Sequence, residues 1–179
     1  MGIAIEGVVA AGRVPTWIIP AASITTPPSG SGPWSIPLTA LTGATTVKTD
    51  CYMDMGDVTI TTTPTTKTRQ RMCQKVAQTI QTGETIEVTI AAVYDQQKAL
   101  TVEVNKVYAA LAKGAEVYIA QAFGHDTDVA PTSSTKVDLV RAVVQSRVKT
   151  QPTAPEEDLK FLATLSGSGF WDDVSLTGA

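Results

Sequence analysis

The feature that most restricts the fold of this sequence is a strict alternation of apolar and polar residues between Thr85 and Tyr94. The apolar members occupy every second position, at Ile86, Val88, Ile90 and Ala92. Successive side chains of a β-strand point to opposite faces, so this pattern predicts a strand with one buried face. The 179 residues include 27 threonines, 19 valines and 11 isoleucines, and β-branched side chains favour strands over helices. The chain is therefore predicted to be mainly β.

One segment has a helical rather than an alternating period. Between residues 96 and 113, apolar residues recur at the spacing of one helix face, at Leu100, Val104, Val107, Tyr108 and Leu111. Asp95 is a suitable N-cap, and Gly114 is a suitable stop. Several strands around a single helix predict an antiparallel β-sandwich or barrel with one flanking helix over about residues 96–113.

The first 44 residues differ from the rest of the chain. They contain six of the ten prolines but only two charged residues, Glu6 and Arg13. This composition predicts an extended apolar arm over residues 1–44, a β-sandwich domain over 45–166 and a C-terminal tail over 167–179. The prolines also exclude a membrane helix from the uncharged run between Val14 and Val47, so no membrane insertion is expected.

The apolar side chains of the arm need burial, either on their own domain or on a neighbouring copy. We predict the second arrangement for Val14–Leu38, which would join subunits. The strand predicted over Val137–Lys149 is apolar on both faces, which also suits contact with neighbours. The predicted subunit-contact residues are Trp17, Ile18, Ile19, Trp34, Ile36, Val137, Leu139 and Val143.

Residues that could support catalysis or bind a cofactor are scarce. The single histidine, His125, lies in a polar turn without a second ligand at zinc spacing. The segment Met53–Asp57 lacks the alternating ligands and the closing glutamate of a calcium loop. No phosphate-binding loop or nucleophile motif is present. We therefore expect no enzyme activity, no metal and no cofactor, and we interpret Glu156–Asp158 as a solvated acidic run.

Two further features have open alternatives. The basic cluster of Lys67, Arg69, Arg71 and Lys75 has no interleaved aromatics, so a surface ladder or a salt bridge between subunits is favoured over nucleic-acid binding. The two cysteines, Cys51 and Cys73, could form one disulfide or remain reduced. We expect them to be unbridged, small buried apolar residues, because nothing in the sequence indicates secretion.

Three local segments then carry a family resemblance. They are Asp50-Cys51-Tyr52, the run from Thr68 to Cys73, and the strand end Ala91-Ala92-Val93-Tyr94-Asp95. In this order, between an apolar Pro/Gly-rich start and a Val-rich strand pair, the chain resembles the major tail proteins of long non-contractile-tailed phages, particularly those infecting actinobacteria. The resemblance covers roughly Val47–Leu165, and the chain is too short for the extra C-terminal domain of some relatives.

The resemblance implies a structural role in the virion. Six copies would form a ring, the rings would stack into a tail tube, and DNA would leave through the lumen without specific binding. A tape measure protein would occupy the lumen before ejection, and assembly would take place in the host cytoplasm. The net charge of −3 agrees with a lumen that does not hold phosphates. Two alternatives are another phage ring or decoration protein, such as a tail terminator or head–tail component, and a secreted β-sandwich binding module.

Overall fold

The computed structural model describes residues 12–73, 75–154 and 157–178. Eight strands form one sheet: β1 Thr16–Pro20, β2 Ser35–Pro37, β3 Val47–Lys48, β4 Val58–Arg69, β5 Gln78–Val93, β6 Glu116–Gln121, β7 Lys136–Lys149 and β8 Lys160–Thr177. The two α-helices are short, α1 Thr39–Thr42 and α2 Lys106–Ala110, and single 3₁₀ turns span Ala21–Ser23 and Glu103–Asn105. None of the described helices has the length and apolar character needed to cross a bilayer.

The sheet has the order β3-β1-β6-β7-β8-β5-β4, and β2 pairs with β8 in addition. Every pairing along this path is antiparallel, and only β2 runs parallel to its partner. The predicted mainly β, antiparallel fold is confirmed. Register shifts interrupt the β7–β8 pairing at three places. Such bulges bend the strands and increase their twist, which curves the sheet around its core.

The curved sheet has apolar residues buried on both faces. The first core lies between β5, β8, β6, β7 and α2, and contains Ile18, Val88, Ile119 and Phe161. The second lies on the opposite face of β1, β6 and β7, and contains Trp17, Ile19, Tyr118 and Leu139. Neighbouring residues of β1 and β6 therefore enter different cores, which explains the uninterrupted apolar runs in these strands.

The second core corrects the prediction that residues 1–44 form an arm apart from the β domain. Residues 1–11 lie outside the described part of the chain. The remainder contributes β1, which pairs with β3 on one side and β6 on the other. Ile24, Ile36 and Leu41 then cover the second face of the sheet. The apolar side chains are thus buried against their own domain, because that face would otherwise be exposed to water.

The predicted helix over residues 96–113 is also wrong in its extent. Helical structure begins only at Glu103 and ends at Ala110. The side chain of Asn105, which is fully buried, organises the preceding loop: its Nδ2 donates to the carbonyls of Asp95 and Lys98 at 2.8 and 3.1 Å, and its Oδ1 accepts from the Asp95 N–H at 2.9 Å. These bonds satisfy backbone groups without helical pairing. Leu100 is consequently 51% exposed, whereas Val107 and Leu111 are fully buried as their spacing predicts.

The predicted C-terminal tail over residues 167–179 is a strand as far as Thr177. Gly167 lies within β8, where the absence of a side chain allows the strand to approach β5 closely. A Cβ atom at Gly167 would lie 2.5 Å from Cγ2 of Ile86, its partner across the sheet. Beyond this point Val174 and Leu176 enter the second core, so the strand belongs to both cores.

Candidate assembly surfaces

The structure places the eight predicted contact residues mostly inside the protomer. Trp17, Ile18, Ile19, Ile36, Val137 and Leu139 have at most 3% of their surface exposed. Five of them meet in the second core, and Ile18 belongs to the first. Only Trp34 and Val143 are half-buried. Their role in subunit contact stays a prediction for all eight, and the largest exposed features of the molecule lie elsewhere.

The most prominent of these features is the hairpin formed by β4 and β5. The two strands pair from Val58↔Ile90 at the base to Arg69↔Gln78 at the far end. Beyond Thr61 on β4 and Glu87 on β5, the side chains on both faces are exposed apart from that of Ile86. Cross-strand pairs of threonine support this ribbon, since opposed β-branched residues stabilise antiparallel pairs. In the sequence, this hairpin is visible only as a Thr-rich segment, and no local pattern marks how far it projects.

Two residues of this hairpin are of types that commonly interrupt strands. Pro64 nevertheless lies within β4, and Gly83 lies within β5. The Ala91 N–H donates to the Asp57 carbonyl at 2.8 Å, so these opposed residues form a hydrogen-bonded pair. Bonded and non-bonded pairs alternate along an antiparallel ladder. Pro64 is seven residues beyond Asp57, an odd number, so it falls at a non-bonded position. Proline has no N–H group and is tolerated at such a position on an edge strand.

The same register exposes the outer edge of β4. Within the described residues β4 pairs only with β5, and it ends the sheet. Val58, Ile60 and Thr62 occupy the same non-bonded positions as Pro64, so their N–H and C=O groups point away from β5. A long edge strand with outward backbone groups is a template for another chain. This edge is therefore a candidate assembly surface.

The far end of the hairpin carries the predicted basic cluster. We call residues 66–73 and 75–81 the hairpin tip. Lys67 and Arg69 are two residues apart on β4, and Lys75 lies in the connecting turn. Cys73 also lies in this turn and Cys51 lies near the hairpin base; both are free and exposed, so the prediction that they are buried is wrong. Both cysteines lie within local turns, where their side chains are exposed to solvent.

A groove lies at the base of the hairpin, between the edge of β4, the ends of β6 and β7, and the middle of β8. Its volume is about 690 Å³. We call it the acidic groove and define it by Asp54, Met55, Phe123, Asp138 and Phe170. Met55 and Phe123 are 77% and 64% exposed, which is a high exposure for large apolar side chains. Sequence reasoning missed this site because its residues come from four separate segments.

The ionisable residues that line the acidic groove are all aspartates: Asp50, Asp54 and Asp138. A second, smaller cavity shares Phe123 and Asp138 with it and adds Asp172, Asp173 and Lys136. Lys136 lies 3.7 Å from Asp173, and Asp138 accepts the Asp173 N–H at 3.1 Å. Asp50 and Asp54 are paired with Lys48 and Lys160, so among the described residues that line the two cavities the negative charge without a salt bridge lies at Asp138 and Asp172. The groove therefore combines exposed apolar side chains with this smaller excess of negative charge.

One lysine holds the acidic turn at the edge of this groove. Nζ of Lys160 lies 2.5 Å from Oδ2 of Asp54 and 2.7 Å from Oδ2 of Asp57. Hydrogen bonds to Asp54 and then Asp57 raise the pKa of Lys160, so this residue remains a cation over the physiological range. The turn over Met53–Asp57 is thus held by a lysine side chain, an arrangement unlike a calcium loop.

The other polar candidates from the sequence form local structures. Nε2 of His125 lies 3.1 Å from the Val129 carbonyl. Glu157 accepts the Thr153 N–H at 2.6 Å, and this bond is the main cause of its lowered pKa. Glu156 lies outside the described residues. Across residues 12–73, 75–154 and 157–178, no three His, Cys, Asp or Glu side chains are grouped as a metal site requires.

The comparisons with known proteins agree with a structural role. A family model described as phage tail tube protein matches residues 4–178 of the chain. Among solved structures, the chain is similar to the SPP1 tail tube determined by solid-state NMR and electron cryo-microscopy, with a TM-score of 0.52 and 9% sequence identity. The match covers 93% of this chain and 79% of the SPP1 chain. A search of curated proteins finds no match.

The family match extends over nearly the whole described chain, and the SPP1 similarity independently shows the same fold. Both agree with a chain whose described residues expose an edge strand, a projecting hairpin and the acidic groove. The chain therefore belongs to the phage tail tube protein family and is a component of a phage tail.

Proposed function

We propose that this chain forms six-membered rings that stack into a tail tube, and that the lumen of the tube conducts DNA during ejection. A tape measure protein occupies the lumen beforehand, and the tube assembles in the host cytoplasm. The number of six copies in a ring is taken from the family resemblance. The observation that carries self-assembly is the 12-residue edge strand β4, which pairs on one side only within the described residues.

An edge strand of this length favours continuation of the sheet into a second copy. The outward backbone groups of Val58, Ile60 and Thr62 offer hydrogen bonds at every second residue, as in β-strand addition. Closing the sheets of several copies into one ring would remove these edges, which otherwise promote aggregation. Half-buried Trp34 and Val143 remain candidates for contact with neighbours around this ring.

A tube of stacked rings also suits the charge of the chain. The net charge is −3, and phosphate contacts made by Lys and Arg are the main source of non-specific DNA affinity. A conduit needs weak contacts with DNA along its length. The two free, exposed cysteines are compatible with assembly in a reducing compartment.

Electron cryo-microscopy of the concentrated protein and of phage particles tests the proposal. We expect tubes with six-fold symmetry and a lumen wide enough for a DNA duplex. A monomer at high concentration, together with particles whose tail tube lacks this chain or six-fold symmetry, would overturn it. A lumen narrower than the duplex would overturn the conduit role.

One substitution addresses the edge of β4 directly. Thr62→Pro removes an outward N–H group while leaving the bonds to β5 intact, as Pro64 already does two residues further along. We expect this variant to fold and to lose at least about tenfold in assembly, since a blocked edge cannot accept a strand. The control is Thr62→Val, which keeps the N–H group and the β-branched shape. Equal assembly of both variants would show that the ring does not use this edge.

A further inference from the structure

The hairpin tip has an unusual combination of properties for an exposed ribbon. Residues 66–81 contain four cations, Lys67, Arg69, Arg71 and Lys75, and no acidic residue. The whole chain carries −3, so the rest of it carries −7. Three large apolar side chains accompany the cations: Met72 is fully exposed, Val76 is 75% exposed and Ile80 is 49% exposed. Such a surface is suited to an acidic, apolar partner.

The acidic groove has the complementary properties. Its exposed Met55, Phe123 and Phe170 are apolar, and Asp138 lies between them and the second cavity, where Asp172 and Asp173 outnumber Lys136. One wall of the groove contains Val58, Ile60 and Thr62, the same β4 residues whose backbone groups point outward. An extended segment entering the groove could therefore form backbone hydrogen bonds, apolar contacts and ion pairs together.

The hairpin tip of a chain cannot reach its own groove. The groove is lined by the base of the same hairpin, and β4 runs on from Thr62 to Arg69. Seven residues of strand extend about 23 Å at 3.3 Å per residue. Lys67 is thus about 17 Å and Arg69 about 23 Å from Thr62 along the strand, so a hairpin tip whose cations dock in the groove belongs to a second copy.

We propose that the hairpin tip of one copy docks into the acidic groove of the next copy. This inference rests on the proposed function and names the surfaces that join its subunits. The contact is heterologous, because each copy offers a tip at one place and a groove at another. Heterologous contacts propagate from copy to copy and generate closed rings or open filaments. The same pair of surfaces could thus close copies into a ring or link one ring to the next.

Nucleic acid is the other macromolecule that a basic tip could bind. Residues 66–81 contain no aromatic side chain on which bases could stack, although stacking is the usual companion of basic residues in single-strand binding. The exposed Met72 and Val76 also gain nothing from phosphate contact. The observations therefore favour the groove of another copy over DNA.

Charge reversal tests the electrostatic part of the contact. In the full chain, Lys67→Glu with Arg69→Glu should lower the sedimentable, tube-forming fraction at least about tenfold, because like charges would face each other. Adding Asp138→Lys and Asp172→Lys should restore most of the assembly, and Lys113→Glu serves as the matched control outside both surfaces. Circular dichroism and thermal melting establish that each variant is folded. Unchanged assembly of the first variant overturns the proposal.

An apolar substitution tests the groove independently. Phe123→Ser should abolish tube formation and leave the thermal midpoint unchanged, because this side chain is 64% exposed in the protomer. The matched control is Leu100→Ser. The Leu100 side chain is 51% exposed and is not part of the groove lining. Equal assembly of the two variants overturns the groove as the docking site.

Cross-linking of the native cysteines shows which surfaces of two copies are in contact, and it requires no change of charge. Cys73 lies in the hairpin tip, and Cys51 follows Asp50, which lines the groove. A short bis-maleimide should cross-link wild-type tubes into a ladder, since each copy has one thiol in the hairpin tip and one next in sequence to the groove residue Asp50. An equimolar mixture of Cys51→Ser and Cys73→Ser chains should give dimers only. Cross-links that persist in Cys51→Ser tubes alone would show that tip meets tip, which overturns the proposal.

The outcomes separate this inference from the proposed function. If the wild-type chain forms no tube in solution or in particles, the proposed function fails and the docking contact fails with it. If the wild type and all variants form tubes equally, only the docking contact fails. If Lys67→Glu with Arg69→Glu assembles normally but binds a DNA oligonucleotide more weakly than the wild type, the hairpin tip is a nucleic-acid surface and the proposal is overturned.

Discussion

The two halves of β5 both pair with β4 but have opposite surroundings. Residues 86–90 pair with β4 on one side and β8 on the other, residues 91–93 continue the pairing with β8, and the alternate side chains Ile86, Val88, Ile90 and Ala92 enter the first core. Residues 78–85 pair with β4 alone and are exposed on both faces. Both halves are thus regular strand paired with β4, but only the core half has a second neighbouring strand and a buried face.

This difference separates the contribution of backbone hydrogen bonds to the stability of a strand from the contribution of apolar burial. Net backbone hydrogen bonds contribute little because the unfolded chain bonds to water, and an isolated two-stranded hairpin is marginal in water. The core half is stabilised by about 25 cal/mol for each Å² of apolar surface that it buries. The far half lacks this term and is available for contact with a partner.

The largest contrast should come from isoleucines on the two halves. Ile90→Ala removes a fully buried side chain and should lower the free energy of unfolding by about 2–5 kcal/mol. Ile80→Ala, at a site that is 49% exposed, should change it by less than about 0.5 kcal/mol. Urea unfolding of both variants measures the difference. Similar losses would mean that the hairpin tip is packed within the protomer.

A smaller contrast is expected from two glycines. Gly167→Ala would place a methyl group 2.5 Å from the Ile86 side chain, on the core half of β5, and should cost about 1–3 kcal/mol. Gly83→Ala lies on the far half, where a Cβ meets nothing within 4 Å, and should be neutral or slightly stabilising. Thermal melting of the pair compares the halves. A neutral Gly167→Ala would contradict the close β5–β8 approach.

The smallest expected effect is a change of stability with pH that depends on Tyr52. This residue lies in the loop that contacts the C-terminal end of β5. The Tyr52 carbonyl accepts the Val93 N–H at 2.9 Å, and its hydroxyl donates to Glu103. Burial, followed by this bond, raises the pKa of Tyr52 to about 12. The folded state thus binds the phenolic proton more tightly than the unfolded state. The resulting stability is complete below about pH 10 and is lost as the pH rises through about 12.

An absorbance titration of the phenols, compared with Tyr52→Phe, measures this pKa. Glu103→Gln should lower it only in part, because burial is the larger cause. The stability of Tyr52→Phe should also fall less steeply than that of the wild type between pH 10 and pH 12. A Tyr52 that titrates at its ordinary value would contradict the packing of this loop.

The sequence by itself determined the mainly β class and the strands with a buried face. The alternation at Ile86, Val88 and Ile90 is local, because the side-chain period of a strand follows from backbone geometry alone. The apolar character of both faces of β7 was visible in the same way, and so was the burial of Val107 and Leu111. The order of short segments was also sufficient to indicate the tail tube family.

Only the tertiary structure decided which surfaces those strands face. The second face of β1, β6 and β7 is covered by Ile24, Ile36 and Leu41 of the same chain, although the sequence suited a neighbour equally well. The acidic groove brings Met55, Phe123 and Phe170 together through strand order, which no local pattern encodes. Burial depends on contacts between distant residues, so periodicity predicts that a side chain needs a partner but not which partner it finds.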